Sequence, residues 1–258
     1  MNQSGKIAIN NLKTLITGRW STLGTSLTRN LIKSGASQIY SVDNKMPQQT
    51  VKPESIENFT CVNLANESFF SNYLKHIGPI DSMVNCAGVR RSYNYYLTYL
   101  QSKNIFEKMR ENKINEYGCR GCIINLVHMS AQYDDQYFRE QDEFAEKYGI
   151  DTEKIDDEVF ALADQLTGAR IRCNTILVTK DCDLNVFSSL VKHILEDQYV
   201  AGQTINMEDN LRHMPKEWDE IAKDYHKYPP KKMKVAEEKY QPPKDHIVKP
   251  LISVPNDS

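Results

Sequence analysis

From Lys13 to about Glu208, short apolar runs alternate with longer stretches in which apolar residues recur every three or four positions. The runs have strand length: Lys13–Thr17, Gln38–Val42, Phe59–Asn63, Asp81–Asn85, Gly121–Val127, Ile171–Leu177 and Gln203–Met207. The periodic stretches predict helices over Thr22–Lys33, Ser68–His76, Tyr93–Glu111, Thr152–Leu166 and Asn185–Glu196. Phe160, Ala163 and Leu166 mark the apolar face of one of them. Such alternation implies repeated βαβ units. It predicts an α/β fold with a mostly parallel, doubly wound sheet of about seven strands and helices on both faces. One unit breaks the rhythm. Pro47 and Pro53 leave no room for a normal crossover helix between Asp43 and Phe59, so a loop with at most one helical turn is expected there.

After Glu208 the texture changes. Residues 209–258 hold seven of the ten prolines, and ten Lys/Arg against nine Asp/Glu. Apart from a short helix over Lys216–Lys227, this stretch reads as extended or polyproline-like chain that builds no core of its own. The chain thus divides into a core of residues 1–208 and a C-terminal tail of 209–258 suited to lying on a partner protein.

Composition narrows the classes. Apolar residues make up 40% of the 258 residues and charged residues 26%, as in globular domains. The formal net charge of −2 gives no basic field for nucleic acid, and none is expected as a partner. The longest apolar runs, Cys122–Val127 and Thr175–Val178, are strand-length, so no transmembrane segment is expected. Six cysteines in a chain this long, with no secretory signal, suit a reducing intracellular compartment. Five basic residues precede the first acid, Asp43, which points to a mitochondrial setting as an alternative to a cytoplasmic one.

Candidate chemistry begins at the end of the first strand. Thr17-Gly18-Arg19-Trp20-Ser21-Thr22-Leu23-Gly24 reads as a glycine loop opening a helix, where Gly18 permits a tight turn and Gly24 close packing. Asp43 ends the second strand 19 residues past Gly24, the position of a carboxylate that takes ribose hydroxyls. As a turn-capping residue it would read equally well on its own. Asn85-Cys86-Ala87-Gly88, Gly121-Cys122-Ile123-Ile124-Asn125, Ile171-Arg172-Cys173-Asn174 and Gly202-Gln203-Thr204-Ile205-Asn206 follow in order. Together these segments resemble the short-chain dehydrogenase/reductase family, whose corresponding motifs are TGxxxGxG, NNAG, GxIvN, IRVN and GQxxN. The resemblance implies a Rossmann-type core and NAD(H) as the cofactor. It assigns Thr17, Gly18, Thr22, Leu23, Gly24, Asp43, Asn85, Ala87 and Gly88 to the cofactor, with Thr22 in place of the middle glycine.

The same resemblance exposes what is missing. The family works with a tyrosine acid/base, a lysine four residues on along one helix face, a serine and an asparagine. Counted back from Asn174, the tyrosine position falls on Tyr148, but the lysine position is then Thr152. Lys154 would point elsewhere. Asp151 or Thr152 reads as a helix N-cap, which would leave Tyr148 ahead of the helix. His128 stands at the serine position and Asn94 at the asparagine position. Tyr148, His128 and Asn94 are therefore the candidate catalytic residues of an incomplete set. Only four residues separate Gly88 from Tyr93, and the segment from Val178 to Gly202 is too short for the family's substrate lid. Cys119-Arg120-Gly121-Cys122 stands alone without a second pair, so no metal site is expected.

Tyr93, Tyr95, Tyr96 and Tyr99 make the helix after the fourth strand a second surface for protein partners. The leading expectation is a non-catalytic accessory subunit of a larger assembly, a pseudoenzyme that retains an NAD-type dinucleotide. An NAD-dependent oxidoreductase with altered catalytic residues and a dinucleotide-sensing protein are the rival readings.

Overall fold

The apolar runs become strands because both of their faces are covered. Leu15, Met83 and Ile123 point one way into a core shared with helices, while Ile16, Val84 and Ile124 are sealed on the other side. The computed structural model describes residues 6–45, 56–89, 91, 93–128, 135–179 and 181–207, with backbone alone for 135–138. The strands are β1 (Lys13–Thr17), β2 (Gln38–Asp43), β3 (Glu57–Cys61), β4 (Ser82–Asn85), β5 (Gly121–His128), β6 (Ile171–Val178) and β7 (Thr204–Asn206). All pair in parallel, in the order β3-β2-β1-β4-β5-β6-β7. This is a doubly wound Rossmann-type sheet, as the alternation predicts.

The helices are α1 (Thr22–Lys33), α2 (Glu67–His76), α3 (Asn94–Met109), α4 (Asp135–Tyr148), α5 (Ile155–Gly168) and α6 (Leu184–Glu196). On one side of the sheet α2, α3, α4 and α5 build a core around Phe70, Leu74, Leu97, Ile105, Phe144 and Leu162. On the other, α1 packs on α6, with Leu27, Leu31, Phe187 and Val191 buried. Arg172, itself buried on β6, donates to the carbonyls of Ile194, Asp197 and Val200 at 2.8–3.0 Å and so caps the end of α6. No described helix is long and apolar enough to cross a membrane.

Several expectations need correction. Strand β3 begins at Glu57, two residues earlier than the apolar run suggests, because a buried ion pair rather than an apolar side chain anchors its start. Helix α4 is not anticipated at all. Its residues are largely charged, and of its described side chains only Phe144 and Ala145 are buried. It ends where Gly149, at φ 66°, lets the Gly149 and Ile150 N–H groups reach the carbonyls of Glu146 and Ala145.

Tyr148 therefore stands ahead of the helix after Asp151, as expected, but also closes the unanticipated α4. Helix α5 starts at Ile155, with Lys154 at its N-cap, while Asp151 accepts the Glu153 N–H and pairs with Lys154 at 2.7 Å. Its buried face is Ile155, Leu162 and Leu166, with Val159 partly covered; Phe160 is 65% exposed and Ala163 is exposed. Residues 46–55, and the tail with its expected helix, lie outside the described residues.

Candidate functional site

Strand β1 connects toward β2 on one side, while β4, its other neighbour, leads away to β5. A parallel sheet that reverses its winding opens a crevice at the carboxyl ends of those two strands. Here they end in Thr17-Gly18 and Asn85-Cys86. The Cys86 N–H donates to the Thr17 carbonyl at 3.1 Å, which draws the two loops together. A Cβ on Gly18 would lie 2.5 Å from the Ala87 nitrogen, and its φ is 66°. A Cβ on Gly24 would lie 2.3 Å from the Gly18 carbonyl oxygen. Both positions demand glycine, one for conformation and contact, the other for contact alone. Ser21 caps α1, its Oγ accepting from the Gly24 N–H at 3.0 Å.

Behind the loop lies a buried polar group that sequence reasoning missed. The Arg19 guanidinium forms a two-point pair with the Glu57 carboxylate, and Ser41 Oγ also donates to Glu57. The Arg19 guanidinium carbon sits 4.5 Å from the Trp20 ring centre, and that indole is tilted against Phe59 at 5.2 Å. The loop is thereby fastened to β2 and β3. A lone arginine in a glycine loop and a glutamate between two prolines and a strand gave no signal of pairing.

Asp43 serves as the turn cap that its position allows. One carboxylate oxygen accepts the Trp20 N–H at 2.9 Å and the other accepts the Lys45 N–H at 3.3 Å. The residue also borders a cavity of about 710 Å³. That volume is in the usual range for small-molecule sites, roughly 300–1,000 Å³. Gly18, Trp20, Ala87 and Gly88 border the cavity, as do Asn63 and Leu64 just past β3. The α3 and α4 side is formed by Tyr93, Leu97, Phe144, Lys147 and Tyr148. Phe144 stacks on Tyr93 with ring centres 4.4 Å apart and touches Tyr148 at 4.7 Å. Thr22 is exposed and, with Leu23, borders a smaller adjoining cavity of about 260 Å³.

Asn85 is buried and belongs to neither cavity. Thr17 Oγ1 donates to its Oδ1 at 3.3 Å, and its Nδ2 donates to Asn125 Oδ1 at 2.6 Å. These side chains stand side by side across β1, β4 and β5 in register, a polar rung through the sheet. Cys86 borders the cleft, but burial pushes its thiol pKa up, away from nucleophilic use. The thiol of Cys122 in the CxxC segment is likewise raised, chiefly by burial.

No family model matches the chain, and no curated protein matches it. Solved structures do. A short-chain dehydrogenase from Leptospira borgpetersenii, solved with bound NAD+, is 15% identical and superposes with a TM-score of 0.58 over 80% of this chain and 94% of that one. A short-chain dehydrogenase from Burkholderia cenocepacia in complex with NADP is 16% identical, with a TM-score of 0.55 over 87% and 100%. The 2-keto-3-deoxy-D-gluconate dehydrogenase of Streptococcus agalactiae is 14% identical, with a TM-score of 0.55 over 81% and 96%. The fold is that of the short-chain dehydrogenases/reductases.

On this short-chain-dehydrogenase-like framework the candidate catalytic residues do not meet in the cleft. Tyr148 borders it, with Lys147 Nζ 5.3 Å from its ring centre. Thr152, four residues on, lies beyond the Gly149 turn, so no i, i+4 pair exists on one helix face. His128 ends β5 opposite Val178 of β6, and neither borders the cavity. Asn94 is buried at the first turn of α3, its Nδ2 reaching the Ala87 carbonyl at 3.5 Å, and does not border the cavity either.

Gly18, Trp20, Ser21 and Asp43 border one cleft, a lining that fits the adenosine half of a dinucleotide. The described residues assemble no acid/base set in the cleft for a nicotinamide half.

Proposed function

We propose that this chain is a non-catalytic, short-chain-dehydrogenase-like accessory subunit that holds an NAD-type dinucleotide as a structural element. Asp43 takes the ribose hydroxyls, Asn63 and Leu64 flank the base, and the Gly18–Gly24 loop takes the diphosphate. In enzymes a bound nicotinamide supplies hydride transfer, and the protein's share is to orient it and move a proton. Among the described residues, the cleft is bordered by Gly18 and Asp43, whereas of the three candidate proton-moving residues only Tyr148 borders it. The observation that carries the reading is the separation of Asp43, which borders the cleft, from His128 and Asn94, which do not. The Pro- and Lys-rich tail and the exposed Tyr95 on α3 are the surfaces assigned to partner subunits, in an intracellular and by preference mitochondrial assembly.

Trp20 borders the cleft, so NAD(H) titration should change tryptophan fluorescence and raise the melting temperature. No response at millimolar cofactor refutes the binding half of the proposal. Native mass in cell extract tests the other half; a free monomer or simple dimer refutes it. One observation favours a second reading, an oxidoreductase of altered chemistry: Tyr148 does border the cleft, beside Lys147. Turnover on a panel of alcohols and ketones that disappears in Tyr148→Phe would establish that reading instead.

A further inference from the structure

Helix α5 has two unlike faces. Ile155, Leu162 and Leu166 are buried, whereas Phe160 turns outward and is 65% exposed. Residues three and four apart share a helix face, so Asp156, Asp157, Ala163 and Asp164 surround Phe160, and all four are exposed. An aromatic side chain inside a charged rim is the arrangement of a protein-contact patch. The charge has one sign. Between Asp151 and Ala169 stand six carboxylates and a single base, Lys154, which pairs with Asp151 at 2.7 Å. Asp156, Asp157 and Asp164 form no salt bridge among the described residues. From the neighbouring α3, Tyr95, 40% exposed, donates to Asp156 at 2.8 Å, and Tyr99 donates to Glu158. A phenol O–H fixes a carboxylate in place without neutralising it. The two helices thus present a preset anionic surface with aromatic rings set in it.

We infer that the outer face of α5, continued by Tyr95 of α3, is the docking surface for a lysine-rich segment of a different subunit. The inference rests on the accessory-subunit reading given above and names the chemistry of the partner. A second copy of this chain does not suit the face. A two-fold contact would set Asp157 and Asp164 against themselves, and opposed like charges disfavour it. A lysine suits it in both of its parts. Its methylene stem covers the Phe160 ring while its ammonium, a compact point charge, meets aspartates that stand singly on the helix surface. Because Tyr95 and Tyr99 already hold two of the carboxylates, less ordering is left to be done on association.

Zero-length carbodiimide coupling in cell extract, which joins carboxylates to lysine amines, tests the surface on the full-length chain in its native assembly. Mass spectrometry should find the α5 peptide joined to a lysine of a different polypeptide. A link only to this chain's own sequence, or none from α5, overturns the inference. Two variants read the same face through native mass. Asp157→Lys combined with Asp164→Lys should release the chain from the assembly, and reversing the charge of the linked lysine should restore it. Phe160→Ala should weaken association by at least about tenfold, the scale of an aromatic anchor. All three side chains are exposed, so the melting temperature of the isolated chain should stay within about 5 °C of wild type. If both variants remain in the assembly as firmly as wild type, the docking face is overturned while the accessory-subunit reading stands. If the wild-type chain runs as a free monomer or simple dimer, that reading falls and takes the docking face with it.

Discussion

The two ends of the crevice are built to different standards. On the β3-β2-β1 side the loop after β1 and the end of β2 are braced. Glu57, which also accepts from Ser41, holds Arg19, Asp43 holds the Trp20 and Lys45 N–H groups, and Gly18 lies flush against Ala87. On the β5-β6 side His128 and Val178 close their strands without bordering the cavity. The turn at Gly149 keeps Tyr148 from acquiring a lysine partner one helical turn on. Holding a ligand needs only a shaped surface with a few fixed polar groups, whereas proton transfer needs several groups aligned within hydrogen-bond reach. A fold can lose the second and keep the first.

The largest effect should come from removing the brace. Glu57→Ala leaves the Arg19 charge buried, with 3% of its side chain exposed, and should cost about 3–5 kcal/mol in chemical denaturation. Arg19→Met combined with Glu57→Leu should regain most of that loss, because neither partner is then stranded. A cost below about 1 kcal/mol for Glu57→Ala would erase the contrast between the two ends.

Next is Asp43→Ala, which should weaken NAD+ by about tenfold to a hundredfold through lost charge-assisted hydrogen bonds, read by Trp20 fluorescence. Asp43→Asn, which keeps an acceptor for the Trp20 N–H, should lie between it and wild type. The smallest effects belong to the far end. Tyr148→Phe and His128→Ala should each leave NAD+ affinity within about twofold, roughly 0.4 kcal/mol, and should change no turnover above background. A clear drop in turnover with either would move that end into the working part of the molecule.

The sheet was legible because burial on both faces writes itself into the sequence as apolar runs, and six of the seven runs match their strands within one residue at each end, the third within two. The glycine loop was legible for a similar reason, since backbone contact admits glycine alone at positions 18 and 24. Helix α4 was not. Its charged residues face water and only a narrow stripe at Phe144 and Ala145 is buried, so periodicity is too thin to register. The sequence did carry one clue, Tyr148-Gly149-Ile150, in which a glycine followed by an apolar residue marks a helix end. Asn63 and the Arg19–Glu57 pair depend on which strands become neighbours. A partner 38 residues away cannot be read from local spacing.

The buried Arg19–Glu57 pair also constrains how the chain can change over time. An arginine in the loop without its glutamate, or the glutamate alone, strands a charge in the interior. Either single replacement is a step downhill in fitness, whereas the joint replacement is nearly neutral. Descendants of this chain should therefore carry both residues or neither. Within an alignment of true relatives, positions 19 and 57 should vary as one character.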